Sequence, residues 1–351
     1  MKKLFVFLGV VALTIGSAVR AQEVTSTVPL QKSSWGDAEE ITDYIPDISL
    51  DSRFGYSRDI AEQTGRFGGN GLFLDINGKI SPRFSYSINH RIASFEGEDG
   101  LGFDNTNWML LTYETDYFSV SAGKDALFVG SFEYDAYDLD SYWQMNSLFW
   151  NTIAPWQWGV SASCYPADGQ TLSLQFCNSP FSTIDTGNLF AYAIAWRGEW
   201  DWYESYWTAN LWQYTPKDYV RALNLGNRFH LGDFTIDLEY MSRGTSWKGL
   251  FSDDFTVLLA PSYEWNWGRA FAKCGWEKID NDTMGYDFTG SNMFYGAGVE
   301  LFPLKDRKDI RIHATWASNS DYTGGHFLEI GLTWKLNLTE AGKYIFNKLQ
   351  K

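Results

Sequence analysis

The sequence predicts an all-β chain: a closed, transmembrane, antiparallel up-and-down β-barrel of about 16 strands. Three observations predict it. Hydrophobicity alternates with a period of two, short and long gaps alternate between those stretches, and tryptophans gather near the stretch ends.

Composition narrows the class first. The 351 residues carry 43 acidic against 28 basic side chains, a formal charge of −15, with 17 Trp, 20 Tyr, 25 Phe and 32 Gly but 3 Cys and 4 His. So many aromatics exclude a disordered chain. So few cysteines exclude a disulfide scaffold. The acidic balance argues against a nucleic-acid partner. No internal stretch reaches the roughly 18 apolar residues of a membrane-spanning helix.

Residues 1–21 read as a secretory signal. Lys2 and Lys3 form its basic start, Leu4 to Ile15 its apolar stretch, and Val19-Arg20-Ala21 the cleavage positions, with Gln22 as the mature start. Cleavage removes Lys2, Lys3 and Arg20 and leaves a charge of −18. Residues 22–46 form an N-terminal lead, either periplasmic or within a pore.

The period of two is clearest over 83–92, where Phe84, Tyr86, Ile88 and Ile92 share one face and Arg83, Ser85, Ser87, Asn89 and Arg91 the other. His90 is the exception on the apolar face. The same alternation recurs over 234–240, 310–316 and 328–336. Sixteen strands are expected near 47–57, 70–77, 82–94, 106–115, 117–125, 157–165, 171–178, 190–197, 205–214, 219–230, 233–243, 255–266, 268–278, 292–302, 309–317 and 327–336. Tight connections such as Gly232-Asp233 alternate with longer ones near 58–69, 95–105, 126–156, 179–189, 244–254, 279–291 and 318–326. The rhythm fails over 198–218, where the turn 198–204 is longer than the loop 215–218. Gly68-Gly69-Asn70-Gly71 reads as a loop or strand entry.

Parity alone fits either a sandwich with its apolar face inside or a barrel with that face outside. The placement of Trp156, Trp158, Trp200, Trp202, Trp265, Trp267, Trp316 and Trp334 near strand ends favours the barrel, because Trp prefers the headgroup level. In hydrocarbon no edge strand can leave its backbone unpaired, so the sheet must close. Cys164 and Cys177 have opposite parity in neighbouring strands, so all three cysteines, Cys274 included, are expected to be unpaired.

An outward apolar face turns the other parity inward. The inward bases are Arg83, Arg91, Arg197, Arg243, Arg269, Lys273 and Arg311, interleaved with Asp237, Glu239, Glu264, Glu277, Glu300 and Glu329. The longest break, 126–156, follows the fifth strand and carries Glu133, Asp135, Asp138 and Asp140 beside Tyr134, Tyr137, Tyr142 and Trp143.

The exported chain, the sixteen amphipathic strands and the long segment after strand five together resemble the plan of bacterial outer-membrane porins. Ser121-Ala122-Gly123-Lys124-Asp125 leading into Gly130-Ser131-Phe132-Glu133, and the run Gly71 to Arg91, are more specifically similar to the phosphate-selective porin O and P family. The resemblance implies an outer-membrane channel in a Gram-negative bacterium. Small hydrophilic solutes or ions would diffuse passively through it as a trimer, with no cofactor and no catalytic residue. It implies that 126–156 folds inward and narrows the pore. The four carboxylates would then stand at the constriction and favour cations or neutral solutes. As solvated loop charges they would instead bind divalent ions at the cell surface. Phosphate preference needs rows of Arg and Lys, whereas these bases alternate with acids.

The chain departs from the porin pattern at its end, since 339–351 continues past the last aromatic of the final strand. This tail is expected to be a short periplasmic helix, with Tyr344, Ile345 and Leu349 resting against a barrel that spans 47–338. His90, His230, His313 and His326 lack metal-ligand spacing, and no serine stands out as a nucleophile. Two other readings fit the composition: a secreted, soluble, Trp-rich protein that stacks glycans, and an outer-membrane barrel hydrolase.

Overall fold

The computed structural model describes residues 44–349 apart from 94–104, 137–138, 183–187, 280–288, 305–306 and 320–324. The expected signal (1–21), most of the lead and Asp138 lie outside the described residues.

The sixteen strands are β1 Asp47–Asp59, β2 Thr64–Ser81, β3 Phe84–Ala93, β4 Thr106–Glu114, β5 Phe118–Ala126, β6 Trp156–Ala167, β7 Gln170–Asn178 and β8 Phe190–Trp200. They continue with β9 Tyr203–Gln213, β10 Tyr219–Leu231, β11 Phe234–Gly244, β12 Asp254–Trp265, β13 Gly268–Ile279, β14 Gly290–Leu301, β15 Ile310–Asn319 and β16 Gly325–Asn337. Each pairs antiparallel with its sequence neighbours, and β1 pairs with β16 from Ser49↔Asn337 to Asp59↔Phe327. The sheet is closed, so no strand has a free edge.

The period of two sets the faces. On β8, Ala191, Ala193 and Ala195 are buried on the inner face while Tyr192 and Ile194 are exposed on the outer. Val160 on β6 and Ile330 on β16 likewise face outward, the latter 63% exposed. Apolar side chains point away from the barrel, as expected from the aromatic placement. The cysteines are unpaired, Cys177 buried inward and Cys274 exposed outward.

Several local expectations are corrected. The Gly-rich stretch 68–71 belongs to β2, where the register shifts opposite Arg53 and Phe54 and Gly71 takes φ +120°; the connection is 60–63, not 58–69. Glycine permits that bulge without the Cβ penalty a left-handed φ imposes on other residues. The rhythm over 198–218 is regular after all. Pairing runs on to Trp200↔Tyr203, whose rings stack at 5.7 Å, and leaves a two-residue turn at 201–202. The break in rhythm lies instead at 302–309, a longer connection on the short-turn end. Arg83 is not in the lumen: it sits in the turn between β2 and β3, exposed, with its guanidinium 3.4 Å from the Tyr113 hydroxyl.

The last strand ends at Asn337 and a helix, α1 Leu338–Leu349, follows on the short-turn side. It is tied to the barrel through its first turn, where the Thr339 hydroxyl accepts from Ile48 N–H (2.9 Å) and donates to the Pro46 carbonyl (2.8 Å). Tyr344 is 68% exposed and does not rest on the barrel; the side chains of Ile345 and Leu349 lie outside the description.

Candidate functional site

The residues between β5 and β6 pack against inward-facing side chains from β7 around to β1. The segment carries two short helices, Phe132–Asp135 and Leu148–Thr152, capped by Ser131 and Ser147. Its course is set by polar anchors. The Gln175 amide of β7 accepts from Phe128 N–H (2.9 Å) and donates to the Ala126 carbonyl (2.7 Å). Thr208 of β9 donates to the Val129 carbonyl at 2.7 Å, and Asn224 of β10 donates to the same oxygen. Glu239 of β11 accepts from Glu133 N–H (3.0 Å).

Glu277 of β13 completes the second helix. Its carboxylate accepts from Leu148 N–H (2.8 Å) and Phe149 N–H (3.4 Å), so a wall charge sits on the unsatisfied amides of a helix N-terminus. Thr256 and Asn292 donate to the same carboxylate from β12 and β14. Farther round, Tyr142 donates to Glu300 of β14 (2.8 Å), Asn319 of β15 to the Asn146 carbonyl (3.3 Å), and Arg53 of β1 to the Leu139 carbonyl (3.1 Å). Burial, then the Glu300 charge, hold the Tyr142 hydroxyl well above the ordinary tyrosine range, so it stays a donor.

The long-loop half of this interface is apolar. Leu127, Val129, Phe149 and Ile153 form one buried cluster with Trp212, Met241, Leu258 and Phe294 from the inner wall. Phe149 stacks on Trp212 at 6.2 Å, and the buried Arg243, paired with Asp254, lies over the Phe149 ring at 4.6 Å. Inward parity on β9 to β14 is therefore not polar throughout: it includes apolar residues where the segment lies against them.

The expected constriction acids do not stand free. Glu133 is buried and accepts from Lys273 (3.1 Å), Ser147 N–H (3.0 Å) and the Ser147 hydroxyl (2.5 Å). Asp135 pairs with Arg197 at 2.8 Å and Asp140 with Arg311 at 2.5 Å. The expected quartet is thus three described carboxylates, each facing a wall base. Four of the six expected wall acids also meet bases: Asp237 holds Arg228 through two bonds (2.7 and 2.9 Å), Glu300 holds Arg269 (3.0 Å), Glu264 holds Lys308 (2.7 Å) and Glu329 contacts His313 (3.1 Å). Arg91 lies on β3, its guanidinium 3.3 Å from Asn105. Sequence reasoning missed Arg53, Arg228 and His230, whose Nε2 is 2.6 Å from Glu204; their inward parity was the available signal.

Below the segment, on the short-turn side, lies a cavity of about 360 Å3 against β10 to β13, lined by Phe132, Arg228, Asp237, Glu239, Arg269 and Lys273 among others. The wall from β2 to β7 differs in chemistry. Side-chain bonds Asn77–Ser87 (2.6 Å), Asp75–Asn89 (2.8 Å), Thr112–Ser121 (2.8 Å) and Ser163–Ser173 (2.7 Å) make it mainly hydrogen-bonding, with Asp75 and Arg91 among its charged members.

No family model matches the chain, and no curated protein matches it. Solved structures do. The outer membrane channel DcaP of Acinetobacter baumannii superposes with a TM-score of 0.59 at 11% identity, over 83% of this chain and 97% of that one. A mutant of the Rh. blastica porin gives 0.58 at 12%, over 83% and 100%. The trimer form of OmpT, an outer membrane protein of Vibrio cholerae, gives 0.58 at 12%, over 83% and 99%. At such identities the likeness is one of fold.

Proposed function

We propose that this chain is an outer-membrane porin, a channel for passive diffusion of small hydrophilic solutes or ions. The observation that carries the reading is the inverted arrangement of faces. A closed barrel turns Val160, Ile194 and Ile330 outward and its charged and hydrogen-bonding side chains inward. Such a surface is at home in acyl chains and would aggregate in water. A soluble glycan-binding sandwich would bury that same face. The porin and channel neighbours support the reading through their fold.

In this proposal the segment 126–156 narrows the pore, supported by its contacts with wall strands from β7 to β1. The solute path runs between it and the hydrogen-bonding wall of β2 to β7, bordered by the partly exposed Asp135–Arg197 and Asp140–Arg311 pairs. Selectivity comes from pore radius and net inward charge rather than from a ring of free acids. Loop acids and wall bases largely neutralise one another, while among the described residues Glu204 is bonded to His230 rather than to a Lys or Arg. A modest cation preference follows. The phosphate selectivity of the porin O and P family is not carried over, because most of the inward bases are held by carboxylates. Export with cleavage near Ala21 and assembly as a trimer, supported by the trimer form of OmpT of Vibrio cholerae among the similar structures, complete the proposal.

Single-channel recording of purified protein in planar bilayers, together with membrane fractionation, tests it. Stepwise conductance and recovery in the outer membrane are expected. A detergent-free soluble monomer without conductance would refute it.

A further inference from the structure

The helix α1 leaves β16 at the short-turn end, and along it Leu338, Ala341, Gly342, Ile345 and Leu349 fall at spacings of three, four, seven and eleven, one stripe of a 3.6-residue period. Glu340, Lys343 and Asn347 fall on the opposite side. Two members of the stripe, Leu338 and Gly342, are exposed, and so is Tyr344 on its flank. Among the described residues the helix is bonded to the barrel through its first turn, by Thr339 to Ile48 and Pro46 and by Glu340 N–H to Asn337, and the exposed Leu338 and Gly342 are not consumed by packing on the strands.

Position indicates what covers it. Leu336, the last outward-facing side chain of β16, is exposed, and Leu338 extends the same apolar surface past the end of the strand. At this end of the barrel the exposed rings of Trp202 and Trp267 flank the short turns, the level at which Trp meets headgroups. Charge agrees. In a chain of −15, the helix carries exposed Lys343 and Lys348 against Glu340, with Lys351 beyond it.

We propose that α1 is an interfacial anchor: it lies along the leaflet surrounding the short-turn end, stripe toward the acyl chains, lysines toward anionic phospholipid headgroups. This rests on the membrane-barrel reading. The anchor would hold the barrel end at a fixed depth.

The test uses full-length protein with Cys164→Ala, Cys177→Ala and Cys274→Ala, reconstituted in vesicles with and without phosphatidylglycerol. An environment-sensitive fluorophore is placed by Gly342→Cys, by Lys343→Cys, or by Ile330→Cys on the outer face of β16, and folding is checked by heat-modifiable migration. Brominated lipid should quench the labels at 342 and 330 by roughly two-fold or more and spare the label at 343, because only one helix face enters the interface. Lys343→Glu with Lys348→Glu should weaken the quenching at 342 in phosphatidylglycerol vesicles and leave 330 unchanged. Quenching at 330 with none at 342, or equal quenching at 342 and 343, overturns the anchor and leaves the barrel reading standing. Loss of quenching at 330 as well overturns both.

Discussion

The Lys273 ammonium of β13 lies 3.1 Å from the Glu133 carboxylate, and its other bond, 2.6 Å, goes to the Asn146 side-chain oxygen. One wall residue thereby ties together two parts of the segment that precede it by well over a hundred residues. Replacing Lys273 by Met leaves Glu133 buried with the two Ser147 donors and no cation. Stranding one member of such a pair costs on the order of 3–5 kcal/mol. The barrel ladder is untouched, so the loss falls on the attachment of the segment. Lys273→Met should give a larger and noisier single-channel conductance with an intact heat-modifiable barrel. Unchanged conductance would place the restraint elsewhere.

Gly130 supplies a second test with an internal control. It adopts φ +75°, and a Cβ there would come 2.7 Å from the Thr208 hydroxyl and 2.9 Å from its backbone nitrogen. Gly232, in the turn between β10 and β11, has φ +66° with nothing within 4 Å. Both Ala variants pay a left-handed penalty of about 1–2 kcal/mol. Only Gly130→Ala also pushes on Thr208 and its bond to the Val129 carbonyl. Gly130→Ala should therefore raise conductance and sensitivity of the segment to protease, and Gly232→Ala should change neither.

The strands were legible because a barrel in lipid must alternate on every one of them, and even a glycine or charge at one position leaves the parity readable. Where a turn was misplaced, as at Trp200, pairing continued through Gly198 and Glu199, which weaken the apolar signal without breaking the ladder. The site was legible only in part. Parity put Lys273, Arg197 and Arg311 inside, yet nothing local to Glu133, Asp135 or Asp140 reveals that each meets one of them, because the partners lie on strands far along the chain. The inward Trp212, Met241 and Phe294 conflict with a polar lumen unless something apolar covers them, and Leu127, Val129 and Phe149 do. That conflict was the readable trace of the docked segment.

Glu277 acts as a remote cap for the helix Leu148–Thr152, next to the apolar cluster around Phe149. Glu277→Ala removes acceptors from two helix amides and from Thr256 and Asn292 together. Loss of a cap alone costs about 0.5–2 kcal/mol, and the buried donors left behind add to it. A lowered thermal midpoint with retained β-sheet circular dichroism is expected, and Glu277→Gln, which keeps one carbonyl acceptor, should recover part of the loss. A midpoint equal to the parent would exclude the capping role.

Asp135 and Asp140 are half exposed while facing Arg197 and Arg311, so each pair would present both signs to the proposed solute path. Exposed pairs contribute only up to about 1 kcal/mol to stability, so neutralising an acid should leave the fold intact. The electrostatic effect is larger, because a confined, low-dielectric passage focuses unbalanced charge. Asp135→Asn frees the Arg197 guanidinium, and Asp140→Asn leaves Arg311 with only Glu300, 3.8 Å away. Both changes should move the zero-current potential in a salt gradient toward the anion side, and the double variant should move it further. Charge-reversing the bases instead, with Arg197→Glu, should move it the opposite way. A potential indifferent to all four variants would mean that these pairs stand out of reach of the permeating ions.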